Sequence, residues 1–524
     1  MANPLTTAPF SRRALLAGAG IGTAYLLAGC RSAVDTQGQA SSGTATAKRG
    51  GTLRIVQGAD IAPTSVLAQN NVNLSFLRLV YNTLIELDHK TLEPKPSLAE
   101  SWTLSPDSKN LEFRLRDGVT FHSGRAFTSA DVAFTLDYIR REEVASQLKH
   151  VAKQITDVQA KDERTIAITF GKSMSNVWDL FELLLILDKD TAAKIPSGTF
   201  VGTGPFAVAS YAPGSKLTLG RHEKYWKDSR PLLDGVEIAI VRQSQSMLSS
   251  LRGGQAHLAV DLAPLDAASI KGDSRFEVVR ADPQDSAFYV GTNAAAAPFT
   301  DKRARQGVAW AINRERILTQ VLGEIGQTSS LPWSPTSPAY DKALAGTYSY
   351  DVAKAKALFE QAGVAGAPVQ VNYNAGLATN AAIAEIVTFD LKAAGLAATT
   401  TPLQGPDFQA KLTGGGLTGL FVNNHGFGQL APATLVKGSF PFNADKNAAS
   451  FDNADYKALA EKLWTTTDEA GQKSVQDEMN AFLLDQQFIV DLVVSSHTFT
   501  ISNQVKGIAY SMYDYLNLDD AGIA

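Results

Sequence analysis

The chain has 524 residues, with 48 Lys and Arg against 52 Asp and Glu, a formal net charge of −4 at neutral pH, and one cysteine, Cys30. That balance supplies no basic surface for nucleic acid, and a lone thiol excludes internal disulfides, zinc fingers and iron–sulfur clusters. A hydrophobic content of 44% is that of an ordinary globular body with ample core, which at this length divides into two or three lobes.

At the N-terminus, Arg12-Arg13 precedes an apolar run from Ala14 to Ala28, which ends in Gly29-Cys30. A charged start, a short apolar stretch and small residues at the cut site form an export signal over residues 1–29. The run is short for a membrane span, and Leu27-Ala28-Gly29-Cys30 resembles a bacterial lipobox. In that reading the Cys30 thiol carries a diacylglyceryl group, whose two chains suffice for stable anchoring. Ser11 to Leu16 fits a twin-arginine signal and an ordinary Sec signal equally well. Residues 30–49 are small and polar, as in a flexible tether. The mature body is therefore expected outside the cytoplasm, lipid-anchored to the cell membrane on its periplasmic or cell-wall side.

Order is expected from Gly50, with a first strand through Val56. Strict alternation marks strands at Leu111–Arg116 and Ile166–Phe170. Between them Ser129-Ala130-Asp131-Val132 opens a helix with Val132, Leu136 and Ile139 on one face. Further helical patterns cover 303–322, 351–362 and the stretch through Ile383, Ile386, Val387 and Leu391, the last two halted by Gly363 and Gly395. Two more occupy about 454–464 and 470–486. Strands and helices mix throughout, the mark of an α/β or α+β protein.

Enzyme motifs nearly form and then fail. Gly171-Lys172-Ser173 ends like a phosphate loop, but Ile166 stands where its first glycine belongs. Gly202-Thr203-Gly204-Pro205-Phe206-Ala207 imitates a dinucleotide fingerprint yet runs on into a strand, so no helix N-terminus faces a pyrophosphate. After His222-Glu223, Trp226 replaces the second zinc histidine, and no Gly-x-Ser-x-Gly occurs. Neither a catalytic centre nor a cofactor or metal site is expected.

Three runs carry a resemblance. They are Leu98-Ala99-Glu100-Ser101-Trp102, the Phe113-x-Leu115-Arg116-x-Gly118-Val119-x-Phe121-His122-x-Gly124 pattern, and Ser129-Ala130-Asp131-Val132. Gly202 to Phe206, Tyr225-Trp226, Leu251-Arg252-x-Gly254-x-Ala256, Pro298 to Arg305, Trp310 to Arg314 and Tyr350 to Leu358 follow in the same order. Over about 50–510 the chain resembles the family 5 solute-binding proteins of ABC importers. The resemblance implies a two-lobed periplasmic-binding-protein type II-like α/β fold with an extra inserted subdomain, the cluster C arrangement. Lobe I would hold about 50–83, 200–290 and 492–524, with the subdomain at 84–199 inserted, and lobe II about 291–491. It further implies a monomer that binds a small organic solute, a peptide or related molecule, between the lobes. The loaded form would pass the solute to ABC permease subunits and their ATPase. An envelope sensor or chaperone on the same fold is the alternative, and a lipoprotein hydrolase a weaker one.

The solute itself is less legible. Peptide-binding members carry an aspartate late in lobe II that pairs with the peptide α-ammonium, but here residues 419–432 contain no carboxylate, and the next acid is Asp445. A buried ammonium without a counter-charge is costly. Asn423, Asn424 and His425 suit neutral or anionic polar groups, and Phe427 an apolar or stacking contact. Trp333 between two prolines, and Tyr373 with Asn374 after the Val369–Val371 strand, are further candidates for the cleft. Asp60, Asp445 or another acid reaching the cleft could supply a missing counter-charge.

Cys30→Ser is expected to release the protein from the membrane fraction, as followed by fractionation and mass spectrometry. Unchanged membrane association with no acyl adduct at Cys30 would contradict the anchor.

Overall fold

The computed structural model describes residues 47–69, 73–144, 146–281 and 286–524. The signal, Cys30 and nearly all of the tether lie outside the described residues. From Ala45 onward the chain forms one compact unit. No helix among the described residues is long and apolar enough to cross a membrane.

Two large sheets organise this unit. Thr52–Gln57 lies inside a seven-stranded sheet, parallel to Gly235–Ile240 on one side and to Leu258–Val260 on the other. The sheet continues through Lys216–Arg221 to Phe206–Ala212, and in the other direction through Thr498–Ser502 to Phe276–Arg280. The six-stranded sheet runs Gln327–Thr328, Ile489–Ser495, Ser286–Thr292, Leu420–His425, Pro368–Asn374 and Ala397–Leu403. The chain passes from the first sheet to the second between Arg280 and Ser286 and returns between Ser495 and Thr498. The boundaries expected at 290 and 491 thus fall inside two strands, a few residues away from both crossings. A third, antiparallel sheet joins Ala99–Leu104, Asn110–Leu115, Thr165–Phe170 and Ile155–Asp162, which lie between the first two strands of the seven-stranded sheet in sequence.

Local patterns translate directly into these elements. In Asn110–Leu115 the residues Leu111, Phe113 and Leu115 are buried while their neighbours face outward. The helix Ser129–Arg140 buries Val132, Leu136 and Ile139 and begins with a capping box between Thr128 and Asp131. Helices Lys302–Ala311 and Ala378–Ala393 lay Val308, Ile383, Val387 and Leu391 into the apolar layer on the six-stranded sheet. The pattern at 303–322 is not one helix, however. It breaks at Ile312, which is extended, and Asn313 caps a second helix, Arg314–Gln320, by accepting from the Arg316 amide. The Asn313 amide itself donates to Asp390. Ile312 remains buried, so hydrophobic periodicity survives a backbone break that it does not report.

Most of the family-matching residues are scaffold. Asp301 caps Lys302–Ala311 and pairs with Arg303, while buried Arg305 donates to the carbonyls of Phe299, Thr300 and Gln486. The Trp226 indole donates to Asn82 and lies under the Arg116 guanidinium. Lys172, in the phosphate-loop imitation, pairs with Glu461 at 2.6 Å. The glycines of 202–205 serve close packing. The Gly204 amide donates to the Val80 carbonyl at 2.9 Å, and a Cβ on Gly202 would stand 2.0 Å from that oxygen.

Gly202→Ala must therefore push backbone against backbone. A loss of about 3 kcal/mol is expected in urea unfolding, the upper end of ordinary overpacking. A variant as stable as its parent would show that this contact does not constrain the fold.

Candidate functional site

The strand Leu420–His425 changes character along its length. Leu420, Phe421 and Val422 are buried in apolar surroundings, whereas Asn423, Asn424 and His425 reach the wall of a cavity of about 1100 Å³. Antiparallel pairing sets Asn423 opposite Tyr289, which lines the same wall. Gln69 and Tyr513 form another wall. The Gln69 side-chain carbonyl accepts from the Ser146 hydroxyl and the Gln147 amide, and its main-chain carbonyl accepts from the Tyr513 hydroxyl. One residue thereby fastens two remote segments to its own around the opening.

Two histidines face this cavity in the same state. His425, 6% exposed, donates from Nδ1 to the Gly426 carbonyl at 2.7 Å. His150 donates from Nδ1 to the Gln147 carbonyl at 2.5 Å. Nε2 is then the acceptor in each ring, and neither has a protein partner. Burial pulls both imidazoles down to about 4, assisted at His150 by the charge of Lys437. His150 fits because residue 438 is glycine, where a Cβ would lie 2.5 Å from its ring. Lys437, 8% exposed, lines the same space and sits 3.4 Å from Glu461 and 3.8 Å from Asp445. Glu142 and Glu143 line the exposed rim, and Glu142 is paired with Lys153. The cavity offers amide groups, imidazole acceptors and three lysines, Lys149, Lys153 and Lys437, of which only Lys437 is buried, while its acids, Glu142 and Glu143, are exposed. Among the described residues no three His, Cys, Asp or Glu side chains converge to hold a metal ion.

Other expected contacts lie elsewhere. Trp333 is 0% exposed and its indole donates to Asn480 at 2.6 Å, inside the core. Phe427, 1% exposed, takes a positive φ that turns its ring inward, 5.4 Å from Tyr513. The Ser334 amide donates to the Gly428 carbonyl, so the two loops close on one another and their aromatic rings become packing. Tyr373 packs against the core of the six-stranded sheet, and Asn374 accepts from the Gly376 amide; neither lines the large cavity. Asp60 accepts from the amides of Ile61 and Gly214 and Asp445 lies beside Lys437, both outside the lining. The residues that sequence reasoning missed, Gln69, His150, Tyr289, Lys437 and Tyr513, come from separate segments, and no local motif links them.

Residues 93–437 match the model of the bacterial extracellular solute-binding proteins, family 5 middle region. Heme-binding protein A of Haemophilus influenzae is 25% identical over 491 residues, spanning 87% of this chain and 88% of the relative. Di/tripeptide-binding protein 1 of Pseudomonas aeruginosa is 25% identical over 464 residues, spanning 80% and 83%. Among solved structures, the binding protein AgaA of A. tumefaciens R10 with agropinic acid superposes with a TM-score of 0.80 at 21% identity, covering 90% of this chain and 99% of that one. The periplasmic binding protein DppA of Helicobacter pylori with the peptide STSA gives 0.79 at 20% identity, covering 91% and 98%. The fold is thus the expected two-lobed α/β arrangement of periplasmic binding proteins.

The two imidazoles make stability pH-dependent. Each binds its proton more weakly folded than unfolded, so between about 6.5 and about 4 the unfolded state carries more protons. Stability therefore falls as pH is lowered through that window, on the order of 1 kcal/mol per pH unit for His425. His425→Asn, which keeps a donor near the Nδ1 position, is expected to flatten the slope in urea unfolding. Equal slopes for parent and variant would contradict a neutral, buried imidazole.

Proposed function

The chain belongs to the bacterial extracellular solute-binding proteins of family 5, and we propose that it captures a peptide-class or related small organic solute in the large cavity and delivers it to an ABC permease. One lobe is built on the seven-stranded sheet and carries the inserted four-stranded piece. The other lobe is the continuous stretch holding the six-stranded sheet, and the two crossings between the sheets act as the hinge. The body is a monomer held outside the cell membrane through Cys30, and it binds its solute without chemical change. The relatives' own roles, named as heme binding and di- and tripeptide binding, support a binding role.

The observation that carries the solute reading is the cavity's supply of Asn423, Asn424, two unpartnered Nε2 atoms and Lys437, with no carboxylate on the 420–425 strand. Such walls receive donors through the imidazoles and anionic or carbonyl groups through the lysine and amides. They supply no buried counter-charge for an α-ammonium. At about 1100 Å³ the cavity is at the upper end for small-molecule sites and admits a solute longer than a dipeptide.

A calorimetric and thermal-shift panel of di- to pentapeptides, free and N-acetylated, tests this. A ligand at 100 times its Kd adds ~2.7 kcal/mol. Acetylation is expected to change affinity by less than about tenfold, and His425→Ala to weaken binding. Tight binding of free peptides that acetylation abolishes would refute the proposed absence of an ammonium site.

A further inference from the structure

A second cavity, of about 350 Å³, opens where the strand Pro368–Asn374 leads into the 16-residue helix Ala378–Ala393. The N-cap residue is Leu377, which provides no side-chain hydrogen bond. The amides of Ala378, Thr379 and Asn380 have no acceptor among the described residues. Any exposed helix start has free amides and a partial positive charge. What distinguishes this one is Asn380, 2% exposed, which lines the cavity and whose Nδ2 has no hydrogen-bond partner. Helical Cα–Cβ bonds tilt toward the N-terminus, so the third residue of the helix carries its amide toward the same opening. A buried donor left unmade is costly, and an acceptor arriving in the cavity removes that cost.

A further donor lies on the six-stranded sheet. Buried Ser286 accepts from Asn424 Nδ2 at 3.2 Å, and its own hydroxyl proton has no acceptor among the described residues. Main-chain amides, the Asn380 carboxamide and the Ser286 hydroxyl thus all have protons to give. No Lys or Arg is among the described residues lining this cavity, and its one acid, Asp261, is engaged by His497 Nδ1 at 2.7 Å and by the Thr498 amide. Leu262, Phe288, Leu322 and Ile325 complete an apolar wall. Neutral donors at the positive end of a helix suit a single negative charge, and the apolar wall suits hydrocarbon beside it. A multiply charged, strongly hydrated anion would lose more water here than these groups replace.

We propose that this second cavity is a binding site for a small monocarboxylate with a short apolar chain. It lies beyond the solute cavity but shares Asn424 with it, so its occupant touches the strand that walls the solute.

The test titrates the Cys30→Ser chain with 4-methylpentanoate, 4-methylpentanamide and inorganic phosphate. Calorimetry gives the affinity, and the NMR signal of the Asn380 side-chain amide locates the binding. Saturable binding of the carboxylate that shifts the Asn380 signal is expected, with amide and phosphate each at least about tenfold weaker. Asn380→Leu and, as a milder change, Ser286→Ala are each expected to weaken the carboxylate at least about fivefold. Equal binding of carboxylate and amide, phosphate as tight as the carboxylate, unchanged affinity in either variant, or no saturable shift at tens of millimolar would each overturn the proposal.

Discussion

A buried carboxylate, Asp179, ties the helix after the four-stranded sheet to the segment that completes the large cavity. It accepts from the Ala431 amide at 3.0 Å and from the Thr434 hydroxyl at 2.5 Å, and Asn176 adds a bond to the same hydroxyl. The helix Pro432–Gly438 has alanine at its N-cap and proline in its first turn, so it cannot cap itself. Its N-terminus is held instead from 252 positions away in sequence, through the Ala431 amide and the Thr434 hydroxyl. Burial pushes the Asp179 carboxyl up to about 6, opposed by these two donors, and breaking the contact would strand a costly group in the core. The far end of that helix places Lys437 in the cavity wall and sets Gly438 beneath His150. Much of the cavity's polarity follows from where that helix begins.

Desolvation then decides what the cavity presents. Imidazoles exposed to water would exchange protons freely near neutrality, but here each is neutral, locked in one tautomer by a main-chain carbonyl. The lysine is different. Its charge is balanced at 3.4 Å by Glu461, which also holds Lys172, so it belongs to a small network that again joins the insert to the segment after residue 430. Packing between the pieces and chemistry inside the cavity are carried by many of the same residues.

The sequence discloses local order well and convergence poorly. Alternation at Leu111, Phe113 and Leu115 requires only that one face meet a core, and the strand lies where the pattern puts it. Trp333 and Phe427 look like surface aromatics because prolines, glycines and polar residues surround them. They are core because their loops fold onto each other and find Asn480 and Tyr513, partners more than eighty positions away. Asn423, Asn424 and His425 were legible because one strand carries all three past the apolar part of its sheet. Gln69 and His150 were not, since only the closed tertiary structure brings their segments to that strand.

The strand Thr498–Ser502 holds a position whose importance reaches beyond geometry. It sits between Leu258–Val260 and Phe276–Arg280, and the latter has no other neighbour in its sheet. The stretch from 286 to 495 contains its whole sheet and can assemble as soon as it emerges during synthesis or translocation. The earlier sheet must wait, with Phe276–Arg280 unpaired and Leu258–Val260 at an open edge, until residues 498–502 arrive. An open edge is a template for wrong pairing. The order in which the chain is made thus leaves the seven-stranded sheet, begun first, incomplete longest, and the hazard of wrong pairing is greatest while residues 286–495 are being made.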